Sequence, residues 1–335
     1  MPKNRLSEVP RLASLWSPPA ETPIGAAGQP LVCVASTYTF HAPFFEGDLL
    51  PRFLGLRFDD TEGIRPFIVE REEKLAIARA AVLVDGSHVD PSQTTLRWDQ
   101  LPVRVPGAQH SKVVVLAWEN LVRFIVSSAN VTRSGYRRNR EIAGVFEVFN
   151  HETSAPRRLG LDVLDFLDDV VTWVQAPEGA LSRLRASIGD VRTRLRAWRN
   201  MPSEFRPREM PRAVFVAGLP RKAGGVARSP LRQLVELWGA RKAKEVVVMT
   251  PFVGDLSGDV DPVVERLLDL PRSGDSQSRL VVPGQPSERD PNLMVVGLPR
   301  RFLEAWASAW RVPPEGVPTY VVPVCRAGEK ANRDL

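Results

Sequence analysis

Gln109-His110-Ser111-Lys112-Val113-Val114-Val115-Leu116 sets an imidazole and an ammonium two residues apart at the start of a β-branched run. In an extended chain residues i and i+2 share a face, so the spacing predicts His110 and Lys112 projecting side by side. Strand interiors rarely carry two such polar groups on one face unless something anionic sits there. A second stretch follows a short turn: Ser127-Ser128-Ala129-Asn130-Val131-Thr132-Arg133-Ser134-Gly135-Tyr136-Arg137-Arg138-Asn139-Arg140-Glu141. Ser128 and Asn130 again share a face, at the end of an apolar strand, where small and polar residues argue against a core position. They read as hydrogen-bond donors set around an oxyanion. Glu141 lies eleven residues beyond Asn130 and opens another apolar run, 142–148; by itself it reads equally well as a surface glutamate.

Outward from these stretches the chain alternates strands and helices. Residues 31–36 form an apolar run that reads as a buried strand, followed by an aromatic loop, Tyr38-Thr39-Phe40-His41-Ala42-Pro43-Phe44-Phe45. Residues 80–84 are a second strand, stopped by Asp85-Gly86, and 101–105 a third, just ahead of His110. Residues 112–116 and 123–127 are two more, with Trp118-Glu119-Asn120 as the turn between them. The middle is helical. Val163, Leu164, Leu167, Val170, Val171 and Val174 recur at helical spacing, and after Pro177 and Gly179 a second helix aligns Leu181, Leu184, Ile188, Val191, Leu195 and Trp198. The opposite face of that helix carries Arg183, Arg185, Arg192, Arg194, Arg196 and Arg199. Such a face could track a phosphate backbone, and it is equally what a solvated amphipathic helix looks like.

The last third repeats the plan of the first: a helix at 231–238, strands at 245–250 and 279–282, and a further strand at 318–324 in the place that 101–105 holds in the first half. The expected organisation is a lead-in segment at 1–30, a lobe at 31–150, a helical connection at 151–210 and a second lobe at 211–335. The fold class is α/β, with a mixed sheet flanked by helices in each lobe.

With 335 residues, 43 % of them hydrophobic and 25 % charged, the chain is long enough for two lobes with ordinary cores. A net charge of +6 and a pI of about 9.7 suit an anionic partner, and they also suit simple solubility. Two cysteines and four histidines support neither a disulfide framework nor a zinc site, so no metal and no cofactor is expected. The first twenty residues lack the apolar core of a secretion signal and no run is long enough to span a bilayer, so a cytoplasmic protein without a membrane partner is the expectation. His41 and His88 read as loop residues, and His151 has no Lys two residues on.

His110-x-Lys112, a strand, a turn, a strand and Ser128-x-Asn130 resemble the HxK…SxN signature of the phospholipase D superfamily. The common form has an Asp five positions after the Lys; here that position is Ala117. The form without the Asp, the long gap from Lys112 to Asn130 and the aromatic loop are similar to the tyrosyl-DNA phosphodiesterase branch, whereas Thr132, Gly135 and Asn139 are closer to bacterial phospholipase-D-like proteins. The resemblance covers 31–150 by motif and 231–335 by layout. It implies a phosphodiesterase in which one motif histidine attacks phosphorus, forming a phosphohistidine, and the other protonates the leaving oxygen and then activates water. It implies that Lys112 and Asn130 hold the non-bridging oxygens, that Glu141 supports a motif histidine, and that Ser128, Thr37, Tyr38, Phe40, Arg133 and Arg137 meet the substrate. A nucleic-acid end, as in DNA processing or repair, is the substrate class implied. An inactive pair of lobes that binds DNA or phosphate is the alternative.

The family site takes one HxK from each lobe, and only one is present here. Three expectations compete: a chain that stops short of the second motif, two chains pairing so that each supplies one HxK, or a degenerate second lobe that serves as scaffold. A homodimer is therefore compatible with the sequence without being required. His110, Lys112, Ser128 and Asn130 are expected to converge in a cleft facing 245–255.

Overall fold

A computed structural model of the chain describes residues 11–56, 64–89, 97–204, 213–220 and 229–238, and beyond these residue 267 and the strand segments 243–249, 272–281, 285–286 and 294–295. The chain divides into two compact units, Met1–Arg228 and Ser229–Leu335.

The first unit is built on a six-stranded mixed sheet. Its strands are β1 (Pro30–Thr37), β2 (Arg79–Asp85), β3 (Asp99–Val103), β4 (Val113–Trp118), β5 (Leu121–Ser127) and β6 (Ala143–Phe149), in the order β3-β2-β1-β4-β5-β6. β1, β2 and β3 run parallel, whereas β4, β5 and β6 follow as an antiparallel meander. A parallel neighbour needs a crossover, and between β1 and β2 the chain passes through α1 (Ala42–Phe44), α2 (Leu50–Leu54) and α3 (Ile64–Leu75). β4 and β5 need only the two-residue turn at Glu119 and Asn120.

Strict alternation along the strands fills two cores. One face of the sheet turns Cys33, Ala35, Val82, Val84, Val114, Leu116 and Ile125 toward Phe45, Leu49, Phe53 and Trp16. The other turns Val32, Val34, Leu83, Val113, Val115, Val122 and Phe124 toward α5 (Arg157–Val171) and α6 (Glu178–Ala197). With both faces covered the central strands are apolar throughout, which is why they read as continuous hydrophobic runs.

Residues 157–197, within the segment expected as a helical connection, form the second helical layer of the first unit, because Leu164, Leu167, Leu184 and Ile188 have the sheet as their apolar partner. Residues 11–30, within the expected lead-in segment, are anchored. Trp16 is fully buried against Phe45 and Tyr136 and donates from its indole Nε1 to the Tyr136 hydroxyl at 3.1 Å. The buried Arg123 guanidinium reaches the carbonyls of Leu15 and Ser17, each at 2.6 Å, and pairs with Glu147. Composition alone could not show this, since the partners are supplied by β5 and β6.

The arginine face of α6 is largely tied to the protein itself. Arg183 pairs with Asp99, Arg185 with Glu178, Arg192 with Asp165 and Asp168, and Arg194 donates to the Glu119 carbonyl. These contacts favour the solvated amphipathic reading over a phosphate track.

In the second unit, α7 (Pro230–Trp238) precedes β7 (Ala243–Met249), which pairs in parallel with β8 (Arg272–Val281), as β1 pairs with β2. The short strands β9 (Gln285–Pro286) and β10 (Met294–Val295) pair with each other. The strand expected at 318–324, and the residues 250–255 expected to face the site, lie outside the described residues. No helix among the described residues is long and apolar enough to cross a membrane.

Candidate active site

Strand direction gathers the polar residues. β1, β2 and β5 end, and β4 and β6 begin, at the same end of the sheet. Residues far apart in sequence therefore meet there: 36–38, 85–88, 109–112, 128–130 and 141.

His110 and Lys112 stand just ahead of β4 rather than within the strand. Their predicted adjacency is present: Lys112 Nζ lies 3.1 Å from His110 Nδ1 and donates to the His110 carbonyl at 2.9 Å. An ammonium can only donate, so neutral His110 keeps its Nδ1 lone pair toward Lys112 and its proton on Nε2. Lys112 is 6 % exposed, and its ammonium sits 5.9 Å from the centre of the Tyr38 ring, within reach of a cation–π attraction. Burial lowers the Lys112 pKa, and the Glu141 carboxylate opposes this through space. The His110 pKa is also lowered, first by burial and then by the Lys112 charge, with Asp85 pulling the other way.

Asn130 is fixed by its carbonyl oxygen. Oδ1 accepts from the backbone N–H groups of Tyr38 at 3.2 Å and Thr39 at 3.3 Å, with Thr37 Oγ1 3.4 Å away. With the acceptor so engaged, the Nδ2 hydrogens are the part of the amide left for an anionic oxygen. The loop after β1 and the end of β5 hold each other. Val131 N donates to Thr37 Oγ1 at 2.9 Å, and His41 N donates to the Val131 carbonyl at 3.0 Å. Thr132 then caps α4 (Arg133–Arg137), its hydroxyl accepting from Gly135 N at 3.1 Å.

Several residues expected at the substrate are used by the fold. Thr37 is fully buried and donates to the Thr39 carbonyl at 2.7 Å. Phe40 packs on Phe45 and Trp98, because a loop leaving a buried strand returns its apolar side chains to the nearest core. Arg137 pairs with Asp48, whose carboxyl feels burial first but is brought below its usual range by Arg52 and Arg137. Ser128 donates to Glu141 and accepts from Ile142 N at 3.0 Å. Glu141 also accepts from Asn139 Nδ2 at 3.2 Å, so its contacts are Ser128 and Asn139 rather than His110. Arg133 is exposed at the first position of α4. Tyr38 stays at the site, its ring 4.9 Å from the His110 ring, centre to centre.

Sequence reasoning passed over one group. Asp85, 5 % exposed at the end of β2, accepts from Gln109 N at 2.7 Å and from Ser87 N at 2.9 Å. It thereby clamps the segment leading into His110. Burial would raise its pKa, but the bonds from Ser87 and Gln109 outweigh this and lower it. A carboxylate closing an apolar run was the available signal, and it was read as a strand stop. Behind it, Gln109 Nε2 donates to Ser111 Oγ at 2.6 Å, and Ser36 Oγ accepts from Val113 N at 3.0 Å. Among the described residues no group of three or more His, Cys, Asp or Glu side chains is placed to hold a metal ion.

No family model matches this chain, and no curated protein matches it either. Similar solved structures include yeast tyrosyl-DNA phosphodiesterase, at 8 % identity over 51 % of this chain and 35 % of that one, with a TM-score of 0.29. They also include the phospholipase D family member Nuc from Salmonella typhimurium, at 14 % identity over 46 % of this chain and 92 % of that one, TM-score 0.28. NucT from Helicobacter pylori shares 9 % identity over 44 % of this chain and 82 % of its own, TM-score 0.25. The chain thus spans about a third of the length of the yeast protein. Identities and scores this low leave the function to be read from the side chains.

Proposed function

We propose that the first unit carries a phosphodiesterase site of the phospholipase D type, acting on nucleic-acid ends through a phosphohistidine on His110. The observation that carries this is the buried Lys112 ammonium, bonded to the imidazole and carbonyl of His110, with the anchored Asn130 amide at the same end of the sheet. A buried ammonium whose bonds go to neutral groups favours an anion beside it. A phosphate draws Lys112 from His110 Nδ1 onto its non-bridging oxygens, which frees the imidazole to attack. Lys112 and the Asn130 amide then stabilise the charge that grows on those oxygens, where one donor is typically worth about 10²–10³ in rate. The net charge of +6 suits a polyanion, and the yeast relative's name points to a DNA-linked phosphodiester.

The test is cleavage of a 3′-phosphotyrosyl oligonucleotide in EDTA, with phosphate trapped on His110. Turnover abolished by His110→Ala is the expected result; an inert native chain with no trapped phosphate overturns the proposal.

A second reading has its own support, since only one of the four histidines is followed two residues on by a lysine. In that reading the site binds DNA or phosphate without turnover. Salt-sensitive DNA binding would survive His110→Ala and weaken with Lys112→Ala.

A further inference from the structure

Displacement at phosphorus by an imidazole leaves an oxygen that must be protonated, and a phosphoryl group that water must later reach. At this site a second imidazole is already in place. His88 follows the turn after β2, its backbone N–H donating to the Asp85 carbonyl at 2.9 Å. Its Nδ1 lies 2.8 Å from Ser87 Oγ and 3.6 Å from Asp85 Oδ1, and Ser87 Oγ in turn donates to that same carboxylate oxygen. An imidazole held at Nδ1 by a hydroxyl and a carboxylate presents Nε2 outward and gains a partner for its cation. The His88 side chain is 33 % exposed, so the imidazole is not sealed into the core.

The His88 and His110 rings both lie on the Tyr38 ring, with centres 4.2 and 4.9 Å from it. The two imidazoles are therefore no farther apart than those two spacings end to end. Among the described residues, the charged and titratable groups acting on them include Asp85 from β2, and His110 and Lys112 from the segment before β4, with Glu141 acting on Lys112 through space.

We infer that His88, oriented by Asp85 and Ser87, is a second catalytic imidazole of this site, serving as acid toward the leaving oxygen and then as base toward water. The inference rests on the phosphodiesterase reading above. In the first step a lone pair of neutral His110 forms the N–P bond. The P–O bond breaks with its electron pair going to the leaving oxygen, which takes the proton of the His88 imidazolium. In the second step neutral His88 accepts a proton from water as the water oxygen bonds to phosphorus. The N–P bond breaks and returns its pair to His110, and both imidazoles regain their starting states.

The experiment uses the full chain in EDTA with two thymidine 3′-phosphodiesters, one of 4-nitrophenol and one of tyrosine. Nitrophenolate leaves without help, whereas tyrosine needs a proton. His88→Gln is expected to lose about 10²–10⁴ in turnover of the tyrosyl ester, to release the first equivalent of nitrophenol at close to the native rate, and to accumulate phosphorylated His110. In His88→Ala, free imidazole is expected to restore tyrosyl turnover. Equal losses on both esters without imidazole rescue mean that His88 only props Tyr38, which overturns the inference; so does native activity in His88→Gln. Either result leaves the phosphodiesterase reading standing. A native chain inert on both esters overturns the two together. Unchanged circular dichroism and an unchanged melting temperature show whether each variant is folded.

Discussion

Burial disfavours the His110 imidazolium and the Lys112 ammonium repels it, while the Asp85 carboxylate attracts it. The first two effects win, so the His110 pKa lies below that of a solvated imidazole, about 6.5, and the neutral ring is favoured. Removing either neighbour should move the titration in opposite senses. Lys112→Gln is expected to raise the His110 pKa, and Asp85→Asn to lower it. NMR titration of the ring protons reads both, and shifts of the same sign would contradict this account. In the native chain the acid limb of cleavage should lie lower in pH than a solvated imidazole would place it. The proximity of His110 to Lys112 was legible in the sequence because it depends only on a two-residue spacing. The clamp from Asp85 was not, because 24 residues separate it from Gln109 and the sheet brings them together.

At the scale of elements, the close approach of α4 to the end of β5 fixes where Asn130 points. A Cβ on Gly135 would stand 2.4 Å from the Asn130 carbonyl oxygen and 3.1 Å from its backbone nitrogen. Backbone atoms cannot swing aside as a flexible side chain can, so Gly135→Ala must push α4 and Asn130 apart. The expected cost is about 1–3 kcal/mol of stability, read by urea unfolding, together with a fall in turnover from the displaced amide. Unchanged activity and an unchanged midpoint would show that the segment yields freely. Gly135 was quoted in the sequence as part of a motif, and its physical reason appears only once α4 is folded against β5. The strands of the first unit were legible at nearly their observed bounds, since Val and Ile runs broken by Asp85-Gly86 or Glu119-Asn120 admit few alternatives. The packing of Phe40 on Phe45 and Trp98 and the pairing of Arg137 with Asp48 were not legible, because an aromatic loop and an arginine carry no mark of which core or carboxylate they will find.

For the molecule as a whole, the N-terminal segment belongs to the body that supports the site. Trp16 joins the π-helical turn Phe45–Leu49 to Tyr136 of α4, and so lies behind both the loop after β1 and the segment after Asn130. Trp16→Ala is expected to cost about 3–5 kcal/mol, seen as a lower urea midpoint, whereas loss of a loose tail residue would leave the midpoint where it is. By itself the sequence determined that this is an α/β protein with a basic surface and one HxK…SxN constellation. Hydrophobic period and short spacings are local, and they survive without knowledge of what packs where. Only the tertiary structure decided that α5 and α6 cover the sheet, that Asp85 and His88 stand with His110, and that Phe40 packs on Phe45 and Trp98 while Arg137 pairs with Asp48. The reason is topological: placing β1 between β2 and β4 brings the ends of three strands distant in sequence to one edge, and no local pattern encodes that order.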